Sequence, residues 1–288
     1  MTRLDGGRSG RIAVNGIDLN VAVSGEGPAL LLLHGFTGSS ATWEPFLTSW
    51  RGFTAIAVDL PGHGASDSPA DPARYSMEHC VKDIVALMDR LGVERAAALG
   101  YSMGGRVALH LALAAPERLR ALVLESASPG IEDPAERAAR RESDEALAAD
   151  IDKDGVEAFV SHWEALSLFA SQARLPAALR NDLRRQRLSS NPVGLANSLR
   201  GMGAGEQESL WRRLGEISVP ALVVAGELDE KYSALTHRMA AAMPDARAEV
   251  VAQAGHAIHL EQPNAYATLV RRFLEECLSR ERPEEVLQ

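Results

Sequence analysis

The chain has 288 residues, 46% hydrophobic and 24% charged, a make-up that fits an ordinary globular protein and excludes disordered, collagenous and coiled-coil classes. Lysine plus arginine number 30 against 39 aspartate plus glutamate, a formal charge of −9, with no basic block to track a phosphate backbone, so nucleic acid is not an expected partner. The longest uninterrupted apolar run outside helix-like patterns, Ala29 to Leu33, falls far short of the roughly 18 residues that a membrane span needs. The N-terminal stretch carries no apolar core of a signal peptide. Cys80 and Cys277 lie far apart without metal-ligand spacing, and no N-x-S/T acceptor is present, the pattern of buried free thiols in a reducing compartment. The expectation is a cytoplasmic monomer or small homo-oligomer that touches neither membrane nor nucleic acid.

In chain order, short apolar and period-two runs come first: Arg11 to Val14, Leu19 to Val23, Ala29 to Leu33 and Ala55 to Val58, each closed by Gly, Asn, Asp or Pro. They read as strands. From Ser76 to Leu91 the period changes, with Met77, Val81, Ile84, Val85, Met88 and Leu91 on one face of a helix, Ser76 as its N-cap and Gly92 as its stop. Ala96 to Leu99 is a strand, Met103 to Ala115 a helix ended by Pro116, and Ala121 to Leu124 a sixth strand. Alternating strands and helices predict a parallel sheet covered on both faces.

Between residues 127 and 219 the strand pattern stops and helical segments take over: Ala135 to Ala149, Val156 to Leu166, Leu179 to Leu188 and Leu195 to Leu199. The Gly-rich stretch Gly201 to Gly205 follows a helix rather than a strand, so it reads as a flexible hinge and not a phosphate loop. Strand Ala221 to Ala225, helix Tyr232 to Ala242, strand Ala248 to Val251 and a closing helix from Tyr266 to Leu278 then resume the alternation. The expected organisation is a core of residues 1–126 and 220–288, with residues 127–219 inserted after strand 6 as a helical cap over one edge of the sheet.

Gly100, Tyr101, Ser102, Met103 and Gly104 form a G-x-S-x-G motif between a strand and a helix, the context in which it makes a nucleophile elbow. The turn lifts the Ser102 hydroxyl out of the sheet edge, at the positive end of the following helix. A serine hydroxyl needs a histidine within hydrogen-bond reach and a carboxylate to orient that histidine. Asp229, after strand Ala221 to Ala225, and His256, after strand Ala248 to Val251, sit just beyond carboxyl ends of strands and supply the acid and the base. Glu125, His34, His63 and His259 occupy comparable ends and read as loop-stabilising groups, as does the Asp59 to Asp67 turn. An oxyanion hole needs two backbone N–H donors; Met103 and Phe36, in the loop after strand Ala29 to Leu33, are placed to provide them.

The His34-Gly35 loop, the elbow and the late Asp and His together resemble the α/β-hydrolase superfamily across almost the whole chain, which implies a mostly parallel eight-stranded sheet. The finer sequence is similar to one family within it. Leu33 to Ser40 with Trp43, Gly100 to Arg106, Trp163 to Phe169, Gly226 to Tyr232 and Gly255 to Pro263 resemble the 2-succinyl-6-hydroxy-2,4-cyclohexadiene-1-carboxylate synthases of menaquinone biosynthesis. The resemblance implies a lyase that eliminates pyruvate from 2-succinyl-5-enolpyruvyl-6-hydroxy-3-cyclohexene-1-carboxylate, with the triad starting the reaction by proton abstraction. It also implies a small anionic cyclohexene carboxylate as partner.

Arg106 agrees on physical grounds. It lies one helical turn beyond Ser102 on the same face, where a neutral ester needs no cation but a carboxylate is gripped by a guanidinium fork. By the resemblance, Arg140 and Arg187 are further substrate-binding arginines, with Arg141, Arg184 and Arg185 as adjacent candidates, and Tyr101 and Trp163 line the pocket. Tyr232 departs from the Phe that the family pattern leads one to expect. The competing readings are a serine carboxylic-ester or carbon–carbon hydrolase with the same triad and a non-enzymatic ligand receptor. No metal site or organic cofactor is implied, since Asp, Glu and His do not cluster at ligand spacing.

Overall fold

A computed structural model describes residues 2–4 and 7–281. Its strands are β1 (Thr2–Leu4), β2 (Gly7–Val14), β3 (Ile17–Ser24), β4 (Ala29–Leu33), β5 (Thr54–Val58), β6 (Ala96–Tyr101), β7 (Leu119–Glu125), β8 (Ala221–Gly226) and β9 (Ala246–Val251). They form one sheet in the order β1-β2-β3-β5-β4-β6-β7-β8-β9. All eight predicted strands are present, and the three-residue β1 pairs with β2 to extend the edge to nine strands. Pairing is antiparallel from β1 to β5 and parallel from β5 to β9.

The central strands are apolar throughout because both faces are covered. Along β4, Leu31 and Leu33 enter one core while Leu30 and Leu32 enter the other, as the two-residue repeat of a strand requires. The first core is closed by α1 (Met77–Leu91) and α2 (Met103–Ala114), whose Ile84, Leu87, Val107 and Leu111 are fully buried. Ser76 caps α1 by accepting the His79 N–H at 3.2 Å, and Gly92 ends it at φ 68°, a left-handed position.

Between β7 and β8 the described residues are helical: α3 (Pro134–Glu164), α4 (Ala177–Leu188) and α5 (Pro192–Met202). Helix α3 is two helices joined at Gly155, whose φ of 79° interrupts the helical backbone, the break that the sequence pattern places between residues 149 and 156. A 3-10 segment, Ser167–Arg174, was not foreseen; its short period leaves no long apolar stripe. The insertion rests on the loops after β4 and β5: Gln186 donates to Ser39 Oγ at 3.0 Å and Asn197 Nδ2 to the carbonyls of Pro69 and Ala70 at 3.1 Å each. The Gly201 to Gly205 stretch is a packing point, which corrects the hinge expectation. A Cβ on Gly201 would meet Tyr75 at 2.6 Å, and one on Gly205 would meet the Arg141 backbone at 2.3 Å.

After β8 come α6 (Glu230–Ala242), the one-turn α7 (Ile258–Glu261) and α8 (Pro263–Glu281). Tyr266, Val270, Phe273 and Leu274 of α8 close the second core against Trp43, Phe46 and Trp50. Cys80 and Cys277 are free and buried in the two cores. No described helix is long and apolar enough to cross a membrane.

Buried histidines tie the strand-end loops together. His34 Nδ1–H donates to the Gly35 carbonyl at 2.7 Å while its Nε2 accepts the Leu60 N–H at 3.0 Å, so the ring is neutral. Burial pulls its pKa down, and burial with the neighbouring His34 pulls that of His63 down to about 3. Burial, with Arg106 and Arg213 nearby, pulls His110 down to about 4. These groups are neutral in the fold but take a proton in the unfolded chain below its ordinary 6.5. The unfolded state therefore binds more protons, and stability falls with falling pH at up to roughly 1.4 kcal/mol per histidine per pH unit. Urea denaturation at pH 7.5 and 4.5 tests this: the expected outcome is a lower unfolding free energy at pH 4.5 and a smaller pH difference in His63→Asn. A His63→Asn variant with an unreduced pH difference would contradict it.

Candidate active site

Ser102 stands between β6 and α2 at φ 48° and ψ −105°, a conformation that costs an L-residue on the order of 1–3 kcal/mol and survives only where the surroundings enforce it. Two glycines enforce it here. A Cβ on Gly100 would lie 2.3 Å from the Gly104 carbonyl oxygen, and one on Gly104 would lie 2.2 Å from that of Leu33. The Ser102 N–H donates to the Glu125 carbonyl at 2.8 Å, fastening the elbow to the end of β7.

The predicted triad is assembled. Ser102 Oγ–H donates to His256 Nε2 at 3.1 Å, and His256 Nδ1–H donates to Asp229 Oδ2 at 2.7 Å. Asp229 Oδ1 accepts the N–H of Tyr232 at 3.3 Å, so the acid is also the N-cap of α6. His256 and Asp229 are both buried, which strengthens their interaction. The imidazole is wedged among Tyr232, Tyr101 and Phe169, with ring centroids 4.6, 5.6 and 6.2 Å away.

The competing residues are otherwise engaged. Glu125 accepts from both the backbone N–H and Nδ1–H of His259, at 3.1 and 2.8 Å. Asp59 accepts from Ala65 N within the turn that it begins, and from Asn20 Nδ2 of β3 and Ser40 N beyond the β4 loop. Both match the loop-stabilising reading.

A cavity of about 410 Å³ opens at Ser102 and is lined by Phe36, Met103, Tyr101, Arg106, Arg140, Trp163 and Tyr232 among others. Lys231 and Arg238 also reach the cavity, as do the carboxylates Glu132, Asp133 and Glu136, and Arg238 is paired with Glu132 at 2.6 Å; sequence reasoning missed these, although Lys231 lies two residues after Asp229. Its aromatic wall joins the insertion to the β4 loop. Phe36 meets Trp163 edge-on at 5.2 Å, and Phe159, one turn before Trp163, stands 5.6 Å from it. The four-residue spacing of Phe159 and Trp163 was the available signal for this wall.

Arg106 Nη1 donates to the Met202 carbonyl at 2.6 Å and to Gln207 Oε1 at 3.3 Å. Arg106, a cation of the core, is thus held by the insertion, a partnership with no signature in the sequence. Burial lowers the Arg106 pKa to about 10, which leaves it charged at neutral pH. Arg140 Nε donates to Asp144 at 2.7 Å at the cavity edge. Arg187 stands apart from these two. It is buried, paired with Glu164 at 3.0 Å, and lines a small adjoining pocket behind Phe169 with Tyr101 and Trp163. Of the adjacent arginines, Arg141 pairs with Glu206, Arg184 with Glu164 and Arg185 with Asp182. Among the described residues no group of three His, Cys, Asp or Glu could hold a metal.

Residues 28–263 match the family model described as the alpha/beta hydrolase fold. The chain is 44% identical over 257 residues to a Bacillus subtilis (strain 168) protein provisionally named as a 2-succinyl-6-hydroxy-2,4-cyclohexadiene-1-carboxylate synthase, covering 88% of this chain and 94% of that one. It is 32% identical over 248 residues to the protein of Serratia proteamaculans (strain 568) that carries that synthase name, covering 86% and 93%. The solved structure of MenH from S. aureus superimposes with a TM-score of 0.87 at 36% identity, covering 90% of this chain and 98% of that one.

The triad geometry makes a prediction that needs no substrate. A fluorophosphonate should label the wild type on Ser102, spare Ser102→Ala, and label Asp229→Asn at least about a hundredfold more slowly, because the imidazole loses its fixed tautomer. Intact-mass kinetics read this out, and equal labelling of wild type and Asp229→Asn would contradict it.

Proposed function

Since the chain belongs to the alpha/beta-hydrolase family, and within it to the 2-succinyl-6-hydroxy-2,4-cyclohexadiene-1-carboxylate synthases, we propose that the Ser102 cavity removes pyruvate from 2-succinyl-5-enolpyruvyl-6-hydroxy-3-cyclohexene-1-carboxylate. The observation that carries this reading is a triad opening on a cavity in which Arg106, held by neutral partners, and Arg140 at the edge stand beside an aromatic wall. A substrate with several carboxylates on a partly apolar ring matches both features, since guanidinium groups fork onto carboxylates.

The ring C–H beside the succinyl ketone is acidic because its loss delocalises charge onto the ketone oxygen. His256, oriented by Asp229, takes the Ser102 proton, and Ser102 Oγ removes the ring proton as a general base. The Phe36 and Met103 N–H groups donate to the ketone oxygen as it gains charge. The carbanion electrons form one ring double bond, the existing double bond shifts by one position, and the ring C–O bond breaks. The enolpyruvyl group leaves as an enolate and takes up a proton to give pyruvate, so the protons balance and no acyl-enzyme forms. Arg106 and Arg140 hold carboxylates, with Arg187 behind Phe169 as a third cation toward the same substrate. Tyr101 and Trp163 pack against the ring. The insertion of residues 127–219 serves as the lid that excludes water, on the core of residues 1–126 and 220–288.

The test is pyruvate release from the substrate generated in place, with a p-nitrophenyl ester as a parallel probe. Release well above the spontaneous rate, feeble ester turnover, and loss of pyruvate release by at least about a thousandfold in Ser102→Ala with binding retained are expected. Ester turnover without pyruvate release would overturn the reading in favour of a hydrolase. Arg106→Gln should raise KM and lower kcat/KM by roughly a hundredfold with a smaller effect on kcat; an unchanged KM would reject its role.

A further inference from the structure

The Tyr232 side chain lies in the cavity with its ring on His256. Its backbone N–H is committed to Asp229, but among the described residues its hydroxyl has no hydrogen-bond partner. Packing on the imidazole needs only a ring, so the hydroxyl is left free to meet whatever occupies the cavity that Tyr232 lines. Arg106, Asp229 and Arg140 act on it electrostatically. Two of these are cations, both lining the cavity, and Asp229 is spent on His256 and on the Tyr232 N–H. Arg140 is already paired with Asp144, but Arg106 is held by neutral partners, the Met202 carbonyl and Gln207, so a ligand group drawn to this corner is an anion. Burial holds the phenol above its ordinary pKa, against the opposing pull of Arg106. It therefore keeps its proton and donates to an anion instead of competing with it.

We propose that Tyr232 is a substrate-binding residue whose hydroxyl donates a hydrogen bond to a carboxylate gripped by Arg106, while its ring positions His256. The proposal rests on the pyruvate-elimination reading for the identity of the substrate, but not for the existence of an anion subsite. One residue then links three parts of the site: its N–H tethers the acid, its ring braces the base and its hydroxyl reads the substrate. A phenol is better suited to the third task than a further cation, because it adds a directed donor without the repulsion that another positive charge would meet from Arg106 and Arg140.

The test is Tyr232→Phe, which keeps the ring on His256. Two readouts are used: steady-state pyruvate release, and calorimetric binding of a competitor, a benzoate carrying a succinyl side chain, together with its two monomethyl esters. The expected result is a rise of roughly tenfold or more in KM and in the competitor's dissociation constant, with kcat changed by less than about threefold. One monoester, lacking the carboxylate that Tyr232 reads, should bind wild type and variant equally. Unchanged competitor binding would overturn the proposal, and so would a fall in kcat alone, which would assign the hydroxyl to the chemical step and not to substrate binding. Equal weakening of the diacid and both monoesters would overturn it too. A wild type that releases no pyruvate while Tyr232→Phe still weakens the diacid would sink the reaction assignment and leave the anion subsite standing.

Discussion

The site depends on one enforced backbone conformation, the positive φ of Ser102. That turn exists because Gly104 lets α2 press on the backbone at the end of β4, and because Gly100 lets β6 approach the start of α2. The same close approach brings the β4 loop, with Phe36, alongside the Met103 N-terminus of α2. The strain at one serine is therefore coupled to the placement of nucleophile, helix dipole and both proposed oxyanion donors. The stability that holds it comes from the two cores on either face of the sheet, which leave the strand ends no freedom to relax.

Around this fixed point the site is divided between the sheet and the helical insertion. The triad belongs to the sheet: Ser102 after β6, Asp229 after β8, His256 after β9. The insertion brings Trp163, Arg140 and Arg187, and through Met202 and Gln207 it also holds Arg106 of α2. In the proposed reading, chemistry from the sheet and recognition from the insertion meet at Arg106 and at the aromatic wall where Phe36 touches Trp163. A triad alone is shared by enzymes of many activities; in the proposed reading, Arg106 and the aromatic wall beside it are what favour an anionic ring.

Much of this was legible in the chain. The strands announced themselves because a sheet covered on both faces needs continuous apolar runs, as in Ala29–Leu33, and the elbow did because its glycines stand where no other residue fits. Asp229 and His256 could be found because the fold places polar groups just past strand ends. The break at Gly155 was legible as a gap in helical periodicity. What escaped was tertiary. The hold of Gln207 and Met202 on Arg106 joins residues about a hundred positions apart, and no local pattern encodes it. The Gly201 to Gly205 stretch looked flexible because glycine is permissive, yet each glycine there lets backbone or side chain approach closely. Arg187 carries the charge of a ligand-binding residue, but its pairing with Glu164 behind Phe169 is visible only in three dimensions.

The central claim is that Ser102 moves a proton and forms no bond to carbon. The most direct measurement is rapid-quench intact mass spectrometry of the enzyme during turnover, with substrate deuterated at the ring carbon beside the succinyl ketone. The account predicts no mass increment on Ser102 at any time, together with a primary isotope effect on pyruvate release. A covalent adduct on Ser102 that forms and decays at the rate of turnover, with no isotope effect, would contradict it.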